Sequence, residues 1–295
     1  MSIAEQIQRI EDNIKASYTA LADKGVTMPT NKNSDNLATT IENLEVGGGS
    51  SENDEVLKGI VEVTATDIVL PDNVEKIAKY FFYKSTNYPF SNGITSIKAN
   101  GVKEVEKNAV ANNRETLTEI NLPNLEVVGD TALASGAGGF SQTCLVKKIK
   151  LGKLKSVGTS GFSGIFNPAS GITQEIEMSF DNCVISTNAF KYYNAPSFDG
   201  TGIKSIGTCP FYYCGNNIKK LWLPSTIETI SASNTTNGQL FRFDNAGPKT
   251  AVTIYTDVAD ENSIPSGWGV GWNSPSTYVT TVYGVTYEDF LNAEV

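Results

Sequence analysis

Short runs of alternating apolar and polar residues recur along residues 56–255. The clearest are IVLP at 68–71, INLP at 120–123, IKLG at 149–152 and LWLP at 221–224; three end in proline and one in glycine. Alternate side chains of a strand face opposite sides. Aligned on these runs, the inward pairs are Ile68/Leu70, Ile97/Ala99, Ile120/Leu122, Ile149/Leu151, Ile176/Met178, Phe198/Gly200, Leu221/Leu223 and Val252/Ile254. They return every 22–31 residues, the spacing of a solenoid in which each repeat is one coil and buries its apolar face on its neighbours. Ile120, Ile149 and Leu221 then fall in one continuous column. The outward neighbours are Asp67/Val69, Ser96/Lys98, Glu119/Asn121, Lys148/Lys150, Glu175/Glu177, Ser197/Asp199, Lys220/Trp222 and Thr253/Tyr255. Coils stack about 4.8 Å apart, which sets Glu119 beside Lys148, Lys148 beside Glu175, and Lys150 beside Glu177. The register rests on apolar residues alone, so this alternation of charge supports it independently.

A second apolar element follows each strand: Val74/Ile77, Val102/Val105, Leu125/Val128, Leu154/Val157, Val184/Ile185, Ile203/Ile206 and Ile227/Ile230. An apolar anchor comes next, among them Phe82, Val110, Leu133, Phe162, Phe190 and Phe211, placed to plug the convex side of each coil. The proline after a strand cannot donate to the ladder, so it ends the strand and starts the turn. Residues 251–295 break the pattern. They supply the last coil and a C-terminal cap in which Trp268, Trp272 and Tyr283 cover the apolar cross-section.

Residues 1–46 follow a helical period instead. Ile3, Ile7, Ile10, Ile14, Tyr18 and Leu21 lie three and four apart, close to a heptad seam. Ser2 and Glu5 suit a capping box, and Gly25 suits the C-terminal cap. A second short helix is expected over 34–44, with Leu37, Ile41 and Leu44 as its stripe. The module is read as an attachment or oligomerisation unit, either packing on itself or self-associating through Ile3, Ile7, Ile10, Ile14 and Leu21. Residues 47–55, rich in glycine and acidic side chains, form a flexible linker; the solenoid spans 56–250.

Among 295 residues there are 32 acidic and 23 basic side chains, a net charge of −9. That disfavours nucleic acid and anionic membrane surfaces as partners. There is no histidine, which removes the commonest general base and metal ligand. Cys144, Cys183, Cys209 and Cys214 are read as reduced, packing residues; the spacing of Cys209 and Cys214 lacks the second pair that a zinc site needs. Charges at Glu5, Arg9, Glu11 and Asp12 interrupt any secretory h-region, and no apolar run is long enough to span a membrane. The expectation is synthesis in the cytoplasm without membrane insertion, with exit by lysis or inside a particle.

Little chemistry emerges. The carboxylate pairs Glu175/Glu177 and Asp257/Asp260 sit on an open strand face and in a loop, not in a cleft. ASGAGGF at 134–140 lacks the Gly-Lys-Ser/Thr of a phosphate loop, and SENDE lacks EF-hand spacing. No catalytic, metal or cofactor-binding residue is assigned. The aromatic residues are better candidates for binding. Most should plug coils, but Tyr83, Tyr192, Tyr193 and Tyr213 are surplus to that need and suit a surface. Trp222 and Tyr255, on neighbouring strands, are read as an exposed patch with Lys220, Lys150, Glu177 and Asp199 around it. Packing against the C-terminal cap is the alternative.

The segment KSIGTCPFYYCGNNIKKLWLPSTIETI (204–230), with NAF at 188–190, resembles the BspA-type leucine-rich repeat; the resemblance covers residues 60–255. It implies an α/β to mostly β fold, a right-handed solenoid of about seven or eight coils, and a non-enzymatic binding role. Residues 14–44, with KGV, a proline and a second helical stripe, are similar to leader segments of tail proteins from phages of Gram-positive hosts. Together the two resemblances imply a phage or prophage tail-associated protein that meets other virion proteins and presents the solenoid to a protein or glycan of the cell surface. The alternative is a BspA-like bacterial adhesin. A glycan-processing enzyme is a third class, and it would need an acidic cleft. The location implied is the virion or the cell surface.

Overall fold

The computed structural model describes residues 66–294 except 86–89, 135–142, 215–216, 234, 236–237, 244–250 and 275–276, together with residues 8, 14, 15, 17–19, 30, 32 and 36. The chain divides into two compact units, Met1–Asp54 and Glu55–Val295. In the first, residues 8, 14, 15, 17–19 and 36 are helical. Tyr18 is buried, Ile14 is half-buried, and the Thr19 hydroxyl donates to the Lys15 carbonyl at 3.1 Å. Ile3, Ile7, Ile10, Leu21 and the linker 47–55 lie outside the described residues.

The second unit is a parallel β-solenoid of about seven turns, built on two ladders and a column of turns. The first ladder runs Asp67–Val69, Ser96–Lys98, Glu119–Leu122, then the leading ends of the long strands Lys148–Val157 and Glu175–Ile185. Ile68, Ile97, Ile120, Ile149 and Ile176 are direct partners in it, and the first four are at most 1% exposed. The column expected to be continuous is divided here. Ser197–Asp199 starts a separate four-stranded ladder with Lys220–Trp222, Val252–Tyr255 and Val279–Val282. Leu221 therefore lies in this second stretch, between Phe198 and Ile254. The division falls at Glu175–Ile185, which pairs with the following coil only through its C-terminal end, Cys183–Ile185 with Ile203–Ile206. Glu175–Ile185 stays extended for 11 residues and slips register against its neighbour. Ile176 and Met178 are left half-buried there, and the apolar interior continues through the Phe180–Phe198 contact at 5.8 Å.

The second ladder crosses this division without a break. Ile77, Val105, Val128, Val157, Ile185, Ile206 and Ile230 are successive partners, all at most 2% exposed. Ile230 then bridges to Trp268. Val184, expected inside, is 46% exposed; Cys183 and Ile185 are the buried pair of that coil. The strand Val279–Val282 is an addition to the coils expected from the pattern.

The anchors form a third column. Phe82, Val110, Leu133, Phe162, Phe190 and Phe211 are at most 2% exposed, and Phe241 continues the series. The rings of Phe162, Phe190, Phe211 and Phe241 stack in sequence at 5.5, 5.9 and 5.3 Å, with interplanar angles of 26°, 22° and 19°. Two residues before each anchor the backbone is left-handed: Tyr80, Asn108, Thr131, Ser160, Asn188 and Cys209 have φ between 48° and 62°. Asn112, Gly164, Tyr192 and Tyr213, two residues after their anchors, are left-handed as well. This alternation aims the N–H groups of residues two apart toward the next coil. Ser160, Phe162 and Gly164 donate to the carbonyls of Thr187, Ala189 and Lys191; Asn188, Phe190 and Tyr192 donate to those of Thr208, Pro210 and Tyr212. The turns are thus a polar ladder in which each coil donates forward. Pro210 fits because only its carbonyl is used.

Substitutions in one coil test this column. Phe190→Ala removes the centre of the ring stack and is expected to cost about 3–5 kcal/mol. Asn188→Val forces a β-branched residue into a left-handed site at about 1–3 kcal/mol, whereas Asn188→Gly shifts stability by less than about 1 kcal/mol. Denaturant unfolding followed by circular dichroism measures all three.

Candidate functional site

The outward faces of the two ladders are largely charge-paired. Lys150 meets Glu177 at 3.1 Å, as the register requires. Glu119 stands opposite Lys148 in register, but its carboxylate bonds Lys98 on the other side at 3.1 Å. Along the second ladder Lys76–Glu104, Lys103–Glu75, Lys155–Glu126 and Lys204–Glu228 link neighbouring coils at 3.0, 2.8, 2.8 and 3.7 Å. Pairs this exposed contribute about 0–1 kcal/mol each; their main effect is to keep like charges apart. Lys150 and Glu177 therefore satisfy each other.

Trp222 and Lys220 are not an exposed patch: that reading is corrected, and the alternative, packing against the C-terminal segment, is the arrangement found. They are 4% and 6% exposed beneath a C-terminal helix, Tyr287–Asn292. Thr286 caps this helix, its side chain accepting from the Asp289 N–H while the Asp289 carboxylate accepts from the Thr286 N–H. Trp222 packs on Tyr287 and Phe290 at 5.7 and 6.0 Å, and Tyr255, half-buried, on Phe290 at 5.9 Å. The Lys220 ammonium donates to the carbonyls of Phe290, Leu291 and Ala293 at 2.8, 3.2 and 2.7 Å, supplying the orphan acceptors of a helix C-terminus with a cation. Asp199 accepts from the Tyr287 hydroxyl at 2.5 Å, and this bond pushes the phenol up to about 12. Four of the six candidate positions thus fasten the cap to the sheet. The sequence signal was the Thr-x-x-Asp capping box before Phe290, hidden in a helix of only six residues. Trp268 and Trp272 are also buried, and Trp272 lies 6.3 Å from the Tyr283 ring.

The groups weighed for chemistry have structural partners. Asp257 accepts from the Ser225 N–H and hydroxyl, and Asp260 from the Asn262 N–H and Ser263 hydroxyl. All four cysteines are free and buried; burial pushes Cys183 up to about 12 and Cys209 up to about 11, and raises Cys144 and Cys214 as well. Such thiols stay protonated at neutral pH and are poor nucleophiles. Among the described residues no group of three His, Cys, Asp or Glu could hold a metal ion.

A different set of side chains converges on the turn column. Lys191, Tyr212 and Arg242 each follow a phenylalanine anchor in consecutive coils, and Tyr212 and Arg242 are register partners. The Lys191 ammonium lies 5.4 Å from the Tyr212 ring centre and the Arg242 guanidinium 4.6 Å from it. Lys191 also covers Tyr192 at 4.8 Å, and Arg242 covers Tyr213 at 5.0 Å. The Tyr192 and Tyr213 rings stack at 5.9 Å and 19°. Burial holds Lys191 below the ordinary lysine value, with Tyr213 acting the other way. Of the surplus tyrosines, Tyr213 is partly exposed in this cluster and Tyr192 is buried in it. Tyr83 is half-buried, and Tyr193 is inside, donating to the Ser197 carbonyl at 2.6 Å. The anchor series ends at Phe211 in the sequence pattern, so Arg242, which follows Phe241, and with it the column it completes with Lys191 and Tyr212, was missed.

Residues 61–136 and 136–244 match the BspA type leucine rich repeat region, in six copies. The chain belongs to the BspA-type leucine-rich repeat family. No curated protein and no solved structure matches it. BspA-type repeats suggest a protein-binding or surface-adhesin-like role, and such solenoids are typically non-enzymatic scaffolds. Among the described residues no helix is long and apolar enough to cross a membrane.

Lys220→Met keeps the length of the side chain but leaves three helix carbonyls without their donor. It is expected to cost about 1.5–3 kcal/mol and to loosen the helix over Trp222. Tryptophan emission shifting to the red, with greater acrylamide quenching, is the readout.

Proposed function

We propose that this BspA-type protein is a non-enzymatic recognition protein whose solenoid presents a binding surface to a protein or glycan on a bacterial cell. The repeat match over 61–244 carries this reading. The paired charges of the strand faces and the cation–tyrosine column on the turn face support it, since they set one surface apart from the rest. The narrower role is a phage or prophage tail-associated protein, with residues 1–46 meeting other virion proteins and copies of the chain meeting through Ile3, Ile7, Ile10, Ile14 and Leu21. The likeness of residues 14–44 to tail leader segments supports that role. A BspA-like surface adhesin is the second reading, favoured by the repeat match itself, which requires no virion. Tail genes beside this one favour the first; sortase and secretion genes favour the second.

Fluorescently labelled full-length protein, mixed with Gram-positive cells and followed by flow cytometry, is expected to bind saturably and to be displaced by unlabelled protein. Absence of binding together with turnover of surface polysaccharide would contradict a recognition role and revive an enzymatic one.

A further inference from the structure

We propose that the column Lys191–Tyr212–Arg242, flanked by Tyr192 and Tyr213, binds an acidic glycan, a linear polymer of sugar or polyol units carrying carboxylate or phosphate groups at intervals. This rests on the recognition reading above and names its ligand class. The two cations stand on coils separated by one intervening coil, with the Tyr212 ring between them in sequence and within 5.4 Å of both. At about 4.8 Å per coil they are roughly 10 Å apart along the solenoid. One carboxylate or phosphate cannot span that distance, whereas a polymer with repeated anionic groups engages both.

Three further observations point to the same ligand. Among the described residues Lys191 lies in no ion pair, and unlike the equally unpaired but exposed Lys147, Lys148 and Lys153 it is half-buried against tyrosine rings. A half-desolvated ammonium of this kind gains from an anion brought to it. The whole chain carries a net charge of −9, so a polyanion is repelled in general and needs a local concentration of cations such as this column to bind. The turn ladder adds its own field, because the N–H groups of alternate turn residues, Asn188, Phe190 and Tyr192 among them, point toward the next coil. A glycan fits better than an acidic peptide. The amides of this face are already spent between coils, so an added peptide strand would find no backbone partners. Tyrosine rings with polar tips suit the mixed apolar and hydroxyl surface of a sugar.

Calorimetric titration of the full-length protein tests the assignment. Polygalacturonate supplies carboxylates, poly(glycerol phosphate) supplies phosphates, and dextran is the neutral control; poly-glutamate represents the acidic peptide. Binding to at least one of the first two is expected, weakening with salt and absent with dextran; the stronger of the two identifies the anionic group. Lys191→Gln and Arg242→Gln are each expected to weaken it at least about 10-fold, with Arg242→Lys intermediate and Lys191→Arg close to wild type. Thermal melts confirm that the variants fold. Failure to bind either polyanion, equal binding to dextran, preference for poly-glutamate, or folded Gln variants of unchanged affinity would each overturn the proposal. The cell-binding assay separates the two readings: wild-type binding that Lys191→Gln leaves intact removes the acidic-glycan site alone, whereas no wild-type binding removes the recognition role itself.

Discussion

Each coil of this solenoid depends on the next for hydrogen bonds it cannot make within itself. A two- or three-residue strand has no partner in its own coil, and an unpaired buried amide costs about as much as a lost hydrogen bond. Stacking removes that cost on every face at once. The strands pair in the two ladders, and the left-handed turns pair in the third column. The interior then needs only apolar side chains at fixed positions, which is why isoleucine, valine and phenylalanine columns run nearly the length of the unit.

This constraint explains where the pattern holds and where it yields. The second ladder runs unbroken from Ile77 to Ile230, while the first divides at Glu175–Ile185, whose leading end has no partner strand in the next coil. The ring stack from Phe162 to Phe241 passes through the division and holds the two stretches in one interior. At the far end the solenoid is closed by tryptophans and a short capped helix, whose carbonyls are satisfied by Lys220 from the sheet below.

Much of the fold was legible because burial follows a simple period. The register Ile68–Ile97–Ile120–Ile149, the second-ladder residues and the six anchors are read directly from spacing. Val184 was misplaced because it was paired with its direct neighbour Ile185, which strand alternation forbids; with Ile185 inside, Cys183 is its inward companion. Spacing left Trp222 open between an exposed patch and packing against the C-terminal cap, and no local signal chose the second for Trp222 and Lys220. Their cover is a six-residue helix some 70 positions away in sequence, and no local period links the two. The Lys191–Tyr212–Arg242 column was hidden for a related reason. It appears only when three anchors are aligned through Phe241, beyond the last clear proline-ended strand.

The central claim is that the turns are a hydrogen-bonded ladder rather than loose connections. Amide hydrogen exchange resolved to single residues tests it most directly. The amides of Phe162, Phe190 and Tyr192 should exchange as slowly as those of Val128 and Ile206 in the second ladder. Exchange at the rate of open turns, with the strand amides still protected, would contradict the account.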